Sequence, residues 1–414
     1  MDPVGCAECH PAHYREWSGS MHAYASTDPV FLAMNARAQR ETGGELGDFC
    51  VRCHAPLAVH TGATTDGLNL AELPARLQGV GCYFCHAVAA VEGTHNNPLV
   101  LARDGVMRGG LDDPLPNPVH RSSYSPLLDR NRLESASLCG SCHDIETPSG
   151  VHLERTFAEW QGSVFARADN PGRLSCSSCH MQGRDEVAAT VDGATVRRVH
   201  DHSMPGVDVA LTPFPEAERQ REAVQRALDT TLLSQVCLSF GSNRLLVSLE
   251  NVAAGHRWPS GAAQDRRAWV EVIGYAGDEV VFESGVVEEG SPVTSLEDPQ
   301  LWQLRDHIYG ENGQLVHMFW EAASYESSLL PPSTTLSPAD PGYEDPHVQR
   351  EYLLPRPVDR VTVRVRIRPI GLDVIDDLIA SGDLDPELRG TIPTFTLRAS
   401  EVEWRLDQLE ECVP

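Results

Sequence analysis

Five times in the first half of the chain, two cysteines stand three residues apart with a histidine directly after the second. The sets are Cys6, Cys9 and His10; Cys50, Cys53 and His54; Cys82, Cys85 and His86; Cys139, Cys142 and His143; and Cys176, Cys179 and His180. Thiols at this spacing can hold zinc or run dithiol redox chemistry. Neither use requires a histidine after the second cysteine, yet all five copies have one. The pattern is that of c-type haem attachment. Both thiols add across the vinyl groups of one porphyrin, and the adjacent imidazole becomes the proximal iron ligand. The expected cofactor is therefore haem c, attached covalently at five places.

Each iron has a second axial face. Of 17 histidines five are proximal, leaving twelve as candidate distal ligands. His22 follows Trp17-x-x-Ser20, and His120 sits in a proline-rich arm after Asp112-Asp113-Pro114-Leu115-Pro116-Asn117-Pro118. His200 and His202, separated by one residue, are read as ligands to two different haems, although an i, i+2 pair in a regular extended segment shares one face. A separate metal site is the competing reading for that pair, with only Asp201 and Asp208 as nearby carboxylates. His256 lies in Gly255-His256-Arg257-Trp258-Pro259-Ser260-Gly261, a loop stiffened by proline and flanked by glycines. The expected distal set is His22, His120, His200, His202 and His256, with His60, His95 and His152 as substitutes. Met181 and Met204 could also ligate, but the supply of histidine makes this unnecessary.

Composition sets the setting for these groups. The formal charge is −26, and the 33 basic residues are all arginine. So acidic a chain is repelled by a phosphate backbone, which excludes a nucleic-acid role. A redox partner with a cationic face is the expected complement. Arginine can grip a haem propionate through both of its forks, which lysine cannot. No stretch approaches the ~20 apolar residues of a membrane-spanning helix. Haem c is attached after export, so a periplasmic or extracellular protein is expected, its leader removed. Two cysteines, Cys237 and Cys412, lie outside the motifs; a disulfide and two separate thiols are both open.

The elements that must position these side chains divide at about residue 210. All five motifs lie in 1–205, which allows about 41 residues per haem, too few to wrap each one separately. The expectation for 1–210 is a pentahaem cytochrome c domain of short helices and long loops, with haems packed against one another. Residues 211–233 read as a connecting helix, proline before it and acids in its first turn. From 234 to 414 the pattern turns to alternation, with Val236, Leu238 and Phe240 on one strand face and Leu245, Val247 and Leu249 on another. Further strands are expected over 267–275, 279–284, 315–320, 348–354, 359–368 and 393–406, with a short helix near 371–381. The fold class is α+β multidomain, a mainly helical haem domain followed by an antiparallel β-sandwich-like domain that contributes a ligand loop. An internal echo, Glu16-Trp17-Ser18-Gly19-Ser20-Met21-His22 against Glu159-Trp160-Gln161-Gly162-Ser163-Val164-Phe165, points to duplication, with Phe165 at the place of His22.

The order of these pieces resembles multihaem c-type cytochromes related to the tetrahaem electron carrier that serves hydroxylamine oxidoreductase. The carrying motifs are Cys6-x-x-Cys-His with Trp17-x-x-Ser-x-His22; Gly79-Val-Gly-Cys-x-x-Cys-His86; and Cys139-Gly-Ser-Cys-His-Asp144 with Glu159-Trp160. Cys176-x-x-Cys-His-Met181, His200-Asp-His202 and Gly255-His256-x-x-Pro-x-Gly261 complete them. The resemblance favours His22, His120, His202 and His256 as distal ligands. This chain departs from it in having five motifs rather than four and an appended β-domain. The function implied is electron transfer between redox partners through closely packed haems. Two other readings stand beside it. One is a haem enzyme acting on a small nitrogen or sulfur compound at a five-coordinate iron; the other is an oligomer or extracellular filament.

Overall fold

The computed structural model describes residues 2–239, 243–343 and 345–406. Two compact units account for them: residues 1–161 with 165–224 and 382–384, and residues 162–164 with 225–381 and 385–414. Phe240 and Cys412 lie outside the described residues.

The first unit is a succession of short helices, and its prolines explain why they are short. Pro3, Pro11, Pro29 and Pro56 each open a helix at its first position, where a missing N–H costs nothing. Asp2 and Asp28 cap two of these starts by accepting from Val4 N–H and Val30 N–H. The longest of these helices, Pro29–Glu41, lays Phe31 against Val51, Ala55, Ala58 and Leu70. A second small core gathers Ala136, Phe157 and Trp160.

The first unit also holds strands that the sequence reading did not foresee. Val88–Val91 pairs with Leu99–Leu101, Ile145–Glu146 with His152–Leu153, and Gly183–Val187 with Val196–His200, all antiparallel. Val106–Gly109 runs parallel to Arg121–Tyr124. Strands of two to five residues are too short to impose a readable period of two.

Helix Ala217–Leu228 starts later than the expected 211 or so: the chain bends and turns through Pro213 and Pro215, and Glu216 takes a positive φ of 55°. In the second unit Leu232–Ser239, Arg244–Asn251 and His347–Leu353 form one antiparallel sheet. Glu279–Ser284, Arg267–Ala276, Arg360–Arg368 and Phe395–Arg405 form another, with Trp302–Leu304 added. Alternate residues point inward: Leu245, Val247 and Leu249 on one sheet, Val361, Val363, Val365 and Ile367 on the other. Helix Leu372–Ala380 buries Val374, Ile375 and Leu378. The expected strand 315–320 is corrected to Leu315–Val316, followed by a 3-10 turn at Phe319–Glu321. No helix among the described residues is long and apolar enough to cross a membrane.

Candidate haem-binding site

Each motif folds into a single helical turn. His10, His54 and His143 donate their backbone N–H to the carbonyl of the first cysteine four residues back, and Cys82–His86 and Cys176–His180 are themselves helices. A turn of 3.6 residues places both thiols and the imidazole on one face, as a single porphyrin requires. The ten motif cysteines are free thiols rather than disulfides. Cys237, by contrast, is disulfide-bonded.

The proximal rings are held by backbone carbonyls. Nδ1 of His10 meets Ala188 O at 2.6 Å, His54 meets Ala25 O at 3.0 Å, and His180 meets Pro205 O at 2.8 Å. His86 Nδ1 lies 2.5 Å from Arg108 O. A carbonyl only accepts, so Nδ1 carries the proton and Nε2 keeps the lone pair a metal needs. Burial holds His54 and His86 below the ordinary imidazole pKa, which keeps them neutral. The donor set and its orientation fit haem c.

The motifs are neighbours in space. Cys6 lies close enough to Cys82, Cys139 to Cys176, and Cys142 to Cys53 for one thiol of each pair to perturb the other's ionisation. Cys85 feels the charge of Cys139. Attachment sites one, three, four and five thus form a chain of neighbours, with site two beside site four.

Distal candidates can be compared with a simple length. Two imidazoles on opposite faces of one metal, each bonded at about 2.0 Å, put their ring centres about 6 Å apart. Four pairs with a motif histidine lie near this separation: His10 with His120 at 6.3 Å and with His13 at 6.0 Å, His22 with His143 at 6.2 Å, and His86 with His202 at 6.4 Å. Burial pushes His22 down to about 4 and His202 down to about 3. His13 also stands edge-on to His202 at 4.8 Å. His54 has a different neighbour: Phe31 stacks on it at 4.0 Å, with the rings 3° from parallel.

The side chains that hold His22 come from two of the sequence motifs. Trp17 Nε1 donates to Val80 O at 2.8 Å, and Val80 N–H donates to His22 O at 2.8 Å. Gly79 N–H donates to Ser26 Oγ. A Cβ on Gly79 would lie 2.7 Å from the carbonyl oxygens of His22 and Ala23, and its φ is +60°, so glycine is required there.

The echo repeats this arrangement. Trp160 Nε1 donates to Leu174 O at 2.9 Å, and Leu174 N–H donates to Phe165 O at 3.0 Å. Val80 and Leu174 each stand two residues before a motif cysteine, Cys82 and Cys176. The paired thiols repeat too, Cys6 with Cys82 and Cys139 with Cys176. Duplication therefore extends well beyond one heptapeptide.

His202 has a support that sequence reasoning missed. The buried Glu16 carboxylate accepts from His202 N–H at 3.0 Å and pairs with Arg184 at 2.6 Å. Burial raises its pKa, opposed by these partners. His202 Nδ1 meets His200 O at 2.8 Å. His200 itself ends a strand near Arg130, Asp129 and Arg198, and burial lowers it to about 4.

The other histidines are placed as follows. His95 and His152 converge on Glu146, at 3.2 Å and 3.8 Å. His60 is exposed at the end of helix Pro56–His60. In the second unit the His256 loop is fixed locally. Asn251 Nδ2 donates to His256 O at 2.7 Å, Trp258 exchanges backbone hydrogen bonds with Leu330, and Arg266 Nε donates to Ser260 O. Gly255 and Gly261 take positive φ values of 72° and 73°.

Residues 5–87 match the family model described as cytochrome c554 and c-prime. Across 98% of this chain and 99% of the other, the fold is similar to that of a penta-heme cytochrome c552 from Thermochromatium tepidum, at 19% identity and a TM-score of 0.67. No curated protein matches the sequence. The motifs, the family match and the shared fold together support a multihaem c-type cytochrome.

Proposed function

We propose that the chain is a periplasmic electron carrier holding five haem c groups and passing single electrons between redox partners. Haem supplies the one-electron chemistry; the protein's part is to hold each iron and set its surroundings. Cys6 and Cys9, Cys50 and Cys53, Cys82 and Cys85, Cys139 and Cys142, and Cys176 and Cys179 would carry the thioethers. The observation that carries the reading is the set of three histidine pairs at 6.2–6.4 Å. In it His10 takes His120, His143 takes His22, and His86 takes His202. His200 and His256 are proposed for the remaining sites; the loop anchored by Asn251 and Arg266 suits a rigid ligand arm. Two strong-field imidazoles per iron leave no position for a substrate.

Mass analysis of the denatured, fully matured protein should find five haem masses on the chain, and four or fewer would defeat the count. EPR and optical spectra of the oxidised protein should be dominated by low-spin iron.

One observation favours a second reading at one site. Among the described residues no histidine ring pairs with His54 at about 6 Å as in the pairs above; Phe31 stacks on the face of His54 itself and does not stand across an iron. An open iron there would suit binding of a small nitrogen or sulfur compound. A high-spin component lost in a Cys50→Ser, Cys53→Ser protein would assign it to that site. Turnover of nitrite, hydroxylamine or tetrathionate by that iron would move the function from carrier to enzyme.

A further inference from the structure

Helix Pro11–Ser18 begins directly after His10 and turns His13 and Glu16, three residues apart on one face, toward His202. The His13 ring meets the His202 ring edge-on at 4.8 Å. Glu16 reaches the backbone of the same residue, its Oε2 accepting from His202 N–H at 3.0 Å. His202 needs such a hold. Strand Val196–His200 ends two residues before it, and the last tie across that hairpin is Asp201 N–H to Gln182 O at 3.0 Å. His202 Nδ1 is given to His200 O, within its own segment. Among the described residues, Glu16 is therefore the hydrogen-bond partner that fixes His202 from another element.

Glu16 is 3% exposed, so its charge must be met inside the protein. Its Oε1 pairs with Arg184 at 2.6 Å, and Arg184 also reaches Glu186 at 2.6 Å. Arg219 stands 3.4 Å from Asp201 and 4.0 Å from Glu16. Three carboxylates, Glu16, Asp201 and Glu186, thus face two guanidinium groups, and the network keeps one negative charge in surplus. A buried ion pair is weak evidence of a stabilising role, since apolar side chains of similar volume often serve as well. Here, however, one oxygen of the pair is tied to the backbone of a proposed iron ligand.

We propose that Glu16 is a positioning residue for His202, and that its charge lowers the reduction potential of the haem whose iron His86 and His202 would share. The proposal rests on the ligand pairing given above. Hydrogen bonds and charge around an axial ligand are the protein's levers on such an iron. Oxidation adds a positive charge there, so a surplus carboxylate in a low-dielectric surrounding favours the oxidised form. The helix that follows the first attachment motif would in this way govern the potential at the third.

Spectroelectrochemical titration and EPR of the haem-loaded Glu16→Gln, Glu16→Ala and His202→Ala proteins, at one pH, test this. Gln keeps the shape and one acceptor oxygen but drops the charge. One midpoint potential should rise in that variant, with no new high-spin iron. Ala removes the acceptor as well, so it should also shift or broaden the EPR signal of one low-spin haem. His202→Ala should turn one haem high spin. If both Glu16 variants lower the Tm but leave every potential and every EPR signal unchanged, the residue is merely structural and the proposal is overturned. A fall in potential in Glu16→Gln would overturn it too. A wholly low-spin His202→Ala protein would instead remove the ligand pairing, and this proposal with it. Should Glu16→Ala fail to mature, the potentials of Glu16→Gln decide alone.

Discussion

A histidine whose Nδ1–H is already given to a backbone carbonyl has only Nε2 to offer, and that commitment marks His10, His54, His86 and His180. His22 reaches the same neutral state differently, through burial that lowers it to about 4. Replacing His22 with Ala should convert about one haem in five to high spin, with imidazole added in solution restoring the low-spin spectrum. Replacing His317, which sits between Asp373 and Asp377 in the second unit, should leave every haem unchanged. A wholly low-spin His22→Ala protein without added imidazole would remove His22 from the ligand set. Asp28 makes a separate prediction about stability. Burial raises it from 3.8 to about 6, and Asp208 adds to the shift, while Val30 N–H and Phe31 N–H oppose it. The folded state therefore binds this proton more tightly than the unfolded chain does, and stability should fall as pH rises through about 4 to 6. Asn at 28 still caps the helix but cannot ionise. At pH 7.5 Asp28→Asn should gain on the order of 1–2 kcal/mol, and at pH 4 very little. Denaturant melts at the two pH values measure the difference, and an equal gain at both would disprove the buried-carboxyl account.

Among the elements, the two tryptophan brackets are the same construction put to different ends. Trp17 and Trp160 each hold the residue two before a motif cysteine, but one bracket presents His22 and the other Phe165. Trp17→Phe and Trp160→Phe should each cost about 0.5–1.5 kcal/mol for the lost hydrogen bond. Only the first should broaden or shift a low-spin haem signal, because only that bracket ends in a proposed ligand. Identical spectra in both variants would mean that the bracket does not steer His22. The five motifs are legible in the sequence because the proposed attachment chemistry requires contiguity: two thiols and an imidazole must share one helical turn. The long strands were legible too, since Val361, Val363, Val365 and Ile367 alternate for nine residues. Glu16 was not legible, because its partners Arg184 and His202 lie more than 160 residues away in the chain. The same holds for the nearness of His120 to His10, with ring centres 6.3 Å apart. A distal ligand is bound by no spacing rule, so only the packed fold can assign it.

For the whole molecule, charge is the property that every partner meets first. A net −26 built without lysine means that over the whole chain acids outnumber bases by 59 to 33. Many of the arginines are already paired, as Arg184 is with Glu16 and Glu186, and Arg197 with Asp113. The unbalanced carboxylates therefore dominate the field. Such a field raises the encounter rate of a cationic partner by about 10–10³ at low ionic strength and is screened over about 10 Å at 0.1 M salt. Stopped-flow reduction by two small carriers of matched potential and opposite charge isolates this effect from the driving force. The cationic carrier should react faster in dilute buffer and slow as salt is added, while the anionic carrier speeds up. The two rates should converge once screening is complete. Rates that are equal and indifferent to salt would show that electrons enter where the acidic surface is not felt, and the cationic partner would have to be abandoned.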